Sequence, residues 1–406
     1  MRYIGIDIAK HVHTVAVRTE DGTPHGKAVS FANDEAGFKS LLERFRELDV
    51  DAGDCIVAME STGHYWMAAY AFLADHGYPV AVVNPVLTDA FRKADTVRKT
   101  KTDLIDAFLI ADFARFKRLG PTSVAPEVTD GLKQLTRYRS HLVKERTMLK
   151  NKATAVCDRL FPELAGAVGG MQSATAKALM RKYATPAAIA STDIRTIERT
   201  VREASRGRYG RKEAEKIKAL ARKSVGVPLA ADALAFELKH MVSLVEHLDG
   251  EIASLDGEIA RILEGTAAEL LLSIPGIGPV NAAVIAAEMG AAENFDDAKK
   301  LIAFAGIDAS KSQSGKFEGD EGHMSKRGSG YLRYALMNAA DKARIHDPYF
   351  GDYYDSLIAR GKHHYVAVSG VARKLAGVIL AVMKEQRPYE PRPSIQSQKA
   401  ANLTES

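Results

Sequence analysis

Cysteine is scarce: Cys55 and Cys157 are the only two in 406 residues. They stand far apart in the chain, so a disulfide framework is not expected, and a cysteine-based zinc site is excluded for want of ligands. Long apolar runs are missing too, none approaching the ~18 residues of a membrane span. The N-terminus enters directly into a strand pattern with no secretory leader, and a cytoplasmic chain is the expectation. Charge of one sign is only in slight excess, a net +5. That balance is compatible with nucleic acid without demonstrating it, and the distribution of charge says more than the total. What is plentiful is apolar residue. A 46% hydrophobic content is that of a globular protein, and the length suits about two or three domains.

Four acids carry the most chemical information. Asp7 ends the apolar run Tyr3-Ile4-Gly5-Ile6-Asp7-Ile8, and Glu60 ends another, Ile56-Val57-Ala58-Met59-Glu60. Asp103 and Asp106 sit in Lys101-Thr102-Asp103-Leu104-Ile105-Asp106-Ala107 at the start of a helical pattern. Thr102 reads as its N-cap, and the i,i+3 spacing puts both carboxylates on one helix face. Any one of these acids alone reads equally well as a solvated carboxylate, Glu60 above all. Together they can converge only around cations, since like charges otherwise repel. Two metal ions about 3.5–4 Å apart, clamping the attacking and leaving oxygens of a phosphodiester, are what such a set supports.

These motifs resemble those of the DEDD-type transposases of the insertion-sequence-110 family, which include the Piv-like DNA invertases. The resemblance rests on Gly5-Ile6-Asp7-Ile8-Ala9-Lys10, on Glu60-Ser61-Thr62-Gly63-His64-Tyr65 and on the segment around Asp103 and Asp106. Downstream it adds Ser314-Gly315 and Ser325-Lys326-Arg327-Gly328-Ser329-Gly330-Tyr331-Leu332-Arg333. It spans most of residues 1–385. It implies a DNA transposase or site-specific recombinase with Mg²⁺ or Mn²⁺ on Asp7, Glu60, Asp103 and Asp106. It further implies a serine nucleophile joined covalently to DNA, matched here by Ser314, with Ser312 and Ser325 as alternatives. The metal cluster would activate that hydroxyl, which is weak at its free pKa. Lys10, Lys326, Arg327 and Arg333 would contact nucleic acid, and a structured noncoding bridge RNA would guide pairing with donor and target DNA.

The order of patterns agrees with an RNase H-like (RuvC-type) fold over residues 1–125. Strand patterns at 12–17 and 27–31 follow the first, then a helix at 38–48, the Glu60 strand, a helix at 65–76, a strand at 80–83 and a helix at 103–117. The basic stretch 92–101 reads either as a solvated loop or, in the sharper reading, as phosphate-binding cations including Arg98, Lys99 and Lys101.

Residues 126–265 are expected to be a helical coiled-coil connector. Leu135, Leu142, Leu149 and Val156 recur every seven residues, flanked by Lys133, Arg137, Arg139, Lys144, Arg146, Lys150 and Lys152. Leu234, Leu238, Met241, Val245, Leu248, Ile252, Leu255, Ile259 and Ile262 follow coiled-coil spacing, flanked by Glu237, Glu246, Asp249, Glu251, Asp256 and Glu258. A basic helix and an acidic one invite pairing, within the chain or across a dimer, and the resemblance favours a homo-oligomer, dimer or tetramer. The basic stretch 199–223 lies in an insertion, 169–228, whose fold the pattern leaves open.

Residues 266–386 are expected to form a mostly helical Tnp domain. Its Ile274-Pro275-Gly276-Ile277-Gly278-Pro279 reads as a helix-hairpin-helix in which Gly276 and Gly278 let backbone N–H groups approach a phosphate. A plain helix–helix turn is the alternative. The tail, 387–406, is Pro-, Ser- and Gln-rich and is expected to be disordered. Two rival functions remain: a Holliday-junction-type nuclease using the same acids without a serine, and a non-catalytic helix-hairpin-helix DNA-binding protein.

Overall fold

A computed structural model of the protein describes residues 1–95, 102–122, 127–308, 313–314, 317–318 and 324–392. The chain forms two compact units, Met1–Val124 and Ala125–Ser406.

The first unit is built on a five-stranded sheet. Its elements run β1 (Arg2–Asp7), β2 (Val12–Arg18), β3 (Val29–Ala32), α1 (Glu35–Glu47), β4 (Cys55–Glu60), α2 (Trp66–Asp75), β5 (Val80–Val83), α3 (Pro85–Asp95) and α4 (Asp103–Lys117). The strand order is β3-β2-β1-β4-β5. β1, β2 and β3 pair antiparallel, and β1, β4 and β5 pair parallel. This mixed order is compatible with an RNase H-like arrangement. Successive residues alternate between two covered faces, which is why the central strands read as nearly continuous apolar runs. Ile4, Ile6, Val57 and Met59 pack with Leu41, Phe45 and Leu73 of α1 and α2. Tyr3, Ile56 and Ala58 pack with Ile110, Phe113 and Ala114 of α4.

Three features differ from the sequence reading. α1 begins at Glu35 because the Asp34 side chain accepts from Gly37 N at 2.8 Å. The third strand is shifted to Val29–Ala32. Helix α3 was not expected at all: Arg92 and Lys93 lie on it rather than in a basic loop. Its start is marked by the Asn84 side chain accepting from Val86 N at 3.0 Å, with Pro85 at the first helical position.

The second unit is mostly helical. Two long helices, α5 (Glu127–Leu160) and, after an excursion, α11 (Ala231–Leu263), lie against each other. The excursion is α6 (Leu164–Ala167), α7 (Ala174–Lys182), α8 (Pro186–Ser191), α9 (Ile194–Ala204) and α10 (Arg211–Arg222). The insertion therefore folds as short helices, held by Ile189, Ile197, Val201, Ala214 and Ile217 in a core shared with Val156, Leu160 and Leu238. Arg139 pairs with Asp256, Arg146 with Asp249 at 2.8 Å and Lys152 with Glu237 at 2.7 Å. The partner numbers fall as the α5 numbers rise, so the helices are antiparallel. The charge complementarity of the heptad helices is thus satisfied within the chain, and by itself argues nothing about an oligomer.

Leu132, Ile259 and Leu263 join the core of the remaining helices, α12 (Pro279–Met289), α13 (Ala298–Ala305), α14 (Gly330–His346), α15 (Pro348–Ala359) and α16 (His364–Glu385). Between α13 and α14 lies a two-stranded pair, β6 (Gln313–Ser314) with β7 (Phe317–Glu318). By length and composition α16 could cross a membrane, although Arg373 and Lys374 interrupt its apolar sequence, and 72% of its most apolar window is buried inside the unit. It is a core helix. Tyr389, inside the expected disordered tail, is 8% exposed and donates its hydroxyl to Asp347 Oδ2 at 2.9 Å. Residues 393–406 of that tail lie outside the described residues.

Candidate active site

The four acids arrive at one end of one sheet face. β1 and β4 are parallel neighbours whose last recorded register pair is Ile6 with Met59, so Asp7 and Glu60 end adjacent strands. By alternation both follow Tyr3 and Ala58 onto the face that α4 covers. α4 packs against β1 without a side chain between them: a Cβ added at Gly5 would lie 2.0 Å from the Ala107 carbonyl oxygen and 2.5 Å from Ala111 N. Because Tyr3 meets the later turns of α4 and Gly5 the earlier ones, the helix runs with its first turn toward the Asp7 end. Asp103 and Asp106 open that turn. The Thr102 hydroxyl accepts from Ile105 N at 3.3 Å, the cap read from the sequence.

The acids differ in environment. Asp103 is exposed, whereas Asp106 is 4% exposed and in ion-pair contact with Arg92 Nη1 at 2.8 Å. Its Oδ1 nevertheless has no aligned hydrogen bond among the described residues, and neither has Arg92 Nε. The buried Thr88 hydroxyl donates to Glu60 Oε1 and also lies 3.0 Å from the Pro85 carbonyl. Thr88 and Arg92 both belong to α3, so the helix missing from the sequence reading supplies the partners of two of the four acids. The Asn84-Pro85 pair was the available signal for it. Among the described residues, no three His, Cys, Asp or Glu side chains are grouped closely enough to hold a metal ion as they stand. The donor set is all carboxylate, which suits a hard divalent cation, and the unaligned buried oxygen of Asp106 is the kind of donor such an ion would complete.

The other predicted residues are dispersed. Lys10 is exposed just beyond β1, while Arg98, Lys99, Lys101 and Ser312 lie outside the described residues. Lys93 is paired with Asp89 at 2.7 Å. In the second unit the Gly276–Gly278 turn joins a 3₁₀ segment, Ala267–Ser273, to α12. Gly276 has φ +92°, and a Cβ there would come within 2.6 Å of Ala343 N, so close packing on α14 already explains that glycine. Gly278 is exposed, and a Cβ there would meet nothing within 4 Å.

Ser314 is the last residue of β6, in register with Phe317. The chain around it leaves from and returns to a fixed base. Ser325 N donates to the Asp308 carbonyl at 3.0 Å, Lys326 N to Gly306 O at 3.1 Å and Ser329 N to Phe304 O at 2.9 Å. The Ser325 hydroxyl donates to Asp308 Oδ1, which gives that serine a role in closing the base. Lys326 and Arg327 are exposed. Arg333 is turned inward, donating from Nη1 to the Ala305 carbonyl at 3.0 Å.

Sequence comparisons agree with this layout. Residues 4–162 match a family model described as a transposase of the DEDD, IS110 type, and residues 268–355 match one described as the transposase IS116/IS110/IS902 family. The chain is 29% identical over 406 residues to an insertion element IS116 44.8 kDa protein of Streptomyces clavuligerus, covering 97% of each. It is 27% identical to an insertion element IS110 43.6 kDa protein of Streptomyces coelicolor, covering 96% of each. It is 23% identical to a pilin gene-inverting protein of Moraxella lacunata, covering 96% of this chain and 98% of the relative. Two family models in chain order and relatives aligned end to end lead to one conclusion: the chain belongs to the IS110 family of transposases.

Proposed function

We propose that the chain cuts and rejoins DNA strands, using Asp7, Glu60, Asp103 and Asp106 as a metal site and Ser314 as the nucleophile. The observation that carries this reading is the delivery of four carboxylates to one end of one sheet face by β1, β4 and α4. The Moraxella relative inverts a pilin gene, and DNA recombination is the class of reaction we carry to this chain. Transposases of the DEDD type are generally metal-dependent, and Mg²⁺ or Mn²⁺ held by the four acids would neutralise charge at the scissile phosphate and lower the pKa of the attacking hydroxyl.

The chain's own residues divide the work. Thr88 holds the Glu60 carboxyl through a hydroxyl, and Arg92 supplies positive charge beside buried Asp106. Ser314 Oγ bonds to phosphorus while one P–O ester bond of the strand breaks, and its proton leaves with the freed strand hydroxyl. Attack by a hydroxyl of a second strand reverses the exchange, restores a phosphodiester and frees the serine. Bond types balance, so no external energy source is needed. On this reading residues 1–125 are the catalytic carboxylate domain, 126–265 a helical connector and 266–386 the Tnp domain. The noncoding guide RNA and an assembly of two or more copies belong to the reading through the family resemblance.

The test is a recombination assay on DNA carrying paired element ends, with denaturing gels to reveal protein–DNA adducts. Ser314→Ala is expected to abolish the adduct while leaving DNA binding intact. An adduct that persists in Ser314→Ala and disappears in Ser312→Ala or Ser325→Ala moves the nucleophile. Hydrolysis without any adduct replaces the recombinase with a junction nuclease. Sequence-specific exchange by nuclease-treated, RNA-free protein removes the guide.

A further inference from the structure

A groove of about 1150 Å³ runs between α5, the start of α12 and the first turns of α14, entirely inside the second unit. It exceeds the ~300–1,000 Å³ of a small-molecule pocket. Among the described residues, no acidic side chain lines it. Arg139 at its wall is engaged by Asp256, whereas Lys144 is exposed and in no ion pair among the described residues. Tyr331 and Tyr334 stand at i,i+3 on α14, on the same side of the helix. Tyr331 is held in place: His141 Nε2 is 3.0 Å from its hydroxyl, and the Arg137 guanidinium and Lys144 ammonium lie 5.1 and 5.5 Å from its ring centre. Tyr334 is 68% exposed. Asn281 and Asn338 add amide donors and acceptors.

We infer that this groove holds an unpaired stretch of DNA strand, with a base stacked on Tyr334 and the adjoining phosphate beside Lys144. The inference rests on the proposed strand exchange, because strands that change partners must pass through an unpaired state. A surface that binds unpaired strands needs an exposed aromatic face for stacking and unopposed cations for the backbone, and it gains nothing from acids. This groove has that composition. The start of α12 adds to it: no side chain caps its first turn, and Gly278 leaves open space there for a phosphate. The asparagine amides can meet base edges without demanding one sequence.

The test uses the full chain, fluorescence anisotropy, and three labelled probes: an oligo(dT) strand, an oligo(U) strand and a blunt DNA duplex. Tyr334→Ala is expected to weaken oligo(dT) binding by roughly 5- to 100-fold, the usual effect of removing one stacking platform. Tyr334→Phe keeps the ring and is expected to bind like the parent. Lys144→Gln is expected to lower the slope of log affinity against log salt by ~0.7, the value for one phosphate on a single strand. Duplex affinity should not change in any of the three. A 5-iododeoxyuridine oligonucleotide should photocross-link to the peptide carrying Tyr334.

The inference is overturned if Tyr334→Ala binds oligo(dT) like the parent, or if duplex affinity falls by the same factor. It is equally overturned if only oligo(U) depends on Tyr334, or if Tyr334→Ala changes the mass by light scattering and leaves strand binding alone, since a second copy then covers the groove. None of these measurements requires catalysis. An inactive carboxylate site would leave them readable, and a failed groove would leave the recombinase reading standing.

Discussion

In the α/β unit, the four candidate carboxylates stand at strand ends and on the first turn of a helix, where Arg92 and Thr88 meet two of them. In the helical unit, the acids of α11 lie opposite the cations of α5 and α7: Asp249 alone receives Arg146 at 2.8 Å and Lys177 at 3.1 Å. The first arrangement brings acids to one end of a sheet face, where Arg92 answers Asp106 directly. The second removes charge of both signs from reach. A residue's sign therefore says less about function than whether another residue already answers it. The helical unit holds many cations, but Arg139, Arg146 and Lys152 on the α5–α11 seam have intramolecular partners, whereas Lys144 and the exposed Arg199 and Arg202 of α9 are in no ion pair among the described residues.

The sharpest way to break this contrast is to remove one carboxylate. Asp103→Asn keeps the size of the side chain and an acceptor oxygen near the helix start, so the fold should persist. If the acids hold catalytic cations, strand exchange should fall by about 10³-fold or more, since metal stabilisation of the transition state is worth several kcal/mol and each 1.36 kcal/mol is tenfold in rate. Exchange at the parent rate would return Asp103 to an ordinary exposed carboxylate. The same assay with Mg²⁺ chelated and then restored should lose and regain activity.

The second test strikes the packing that brings the acids together. Gly5→Val would drive side-chain atoms into the Ala107 carbonyl and Ala111 N, both backbone atoms that cannot swing away. Overpacking of this kind costs about 3 kcal/mol and sometimes more. A marked fall in the melting temperature of the first unit is expected. A variant as stable as the parent would mean that α4 does not lie on β1 as described.

A third test concerns Glu288, which is 5% exposed and joins three helices. Arg137 donates to it from Nε at 2.6 Å and Nη2 at 3.0 Å, and the Ser329 hydroxyl, at the start of α14, donates at 2.8 Å. Burial pushes its carboxyl up, but the hydrogen bonds of Arg137 and Ser329 and the nearby positive charge outweigh this and hold it below the usual carboxylate value. A depressed folded pKa gives stability that is fully present above the ordinary carboxylate range and lost as pH falls through the folded value. Glu288→Ala removes the acceptor of Arg137 and Ser329 and leaves a half-exposed guanidinium that water can reach, so it should cost about 1–3 kcal/mol by urea denaturation at neutral pH, the range for lost hydrogen bonds to a charged group. The variant should also lose less stability than the parent on acidification. Equal acid sensitivity would show that the pair does not titrate with folding.

These residues also mark what the sequence could reveal. Asp7 and Glu60 were legible because each ends an apolar run, and Asp103 because Thr102 precedes it with capping spacing. The β5 and α4 boundaries, Val80–Val83 and Asp103–Lys117, fall where the pattern put them. Helix α3 is hidden because its basic end, Arg92 and Lys93, continues into the charged run at 92–101, and only the Asn84-Pro85 pair marks its start locally. The Glu288 pair was invisible for a different reason. Its partner is 151 residues distant, and a lone acid in an apolar helix gives no sign of which arginine reaches it. The inward bond of Arg333 was hidden for a similar reason: its acceptor is the Ala305 backbone carbonyl, and sequence carries no mark of that.

The smallest expected effects separate engaged from unengaged cations most directly. Lys152 and Arg181 pair with Glu237 at 2.7 Å and Glu246 at 3.0 Å, yet the lysine and arginine side chains are 62% and 60% exposed. Solvent and salt screen such pairs, and each should contribute less than ~1 kcal/mol to stability. Their replacement by alanine should leave duplex affinity and its salt dependence almost untouched, because each removed cation was already facing a carboxylate. Arg199, Arg202 and Arg206 are exposed on and just after α9, with no ion pair among the described residues. If they reach DNA backbone, each alanine substitution should lower the salt slope of duplex binding by ~0.9, the release expected per phosphate. Identical slopes for the two groups would mean that pairing within the chain does not decide which cations nucleic acid can use.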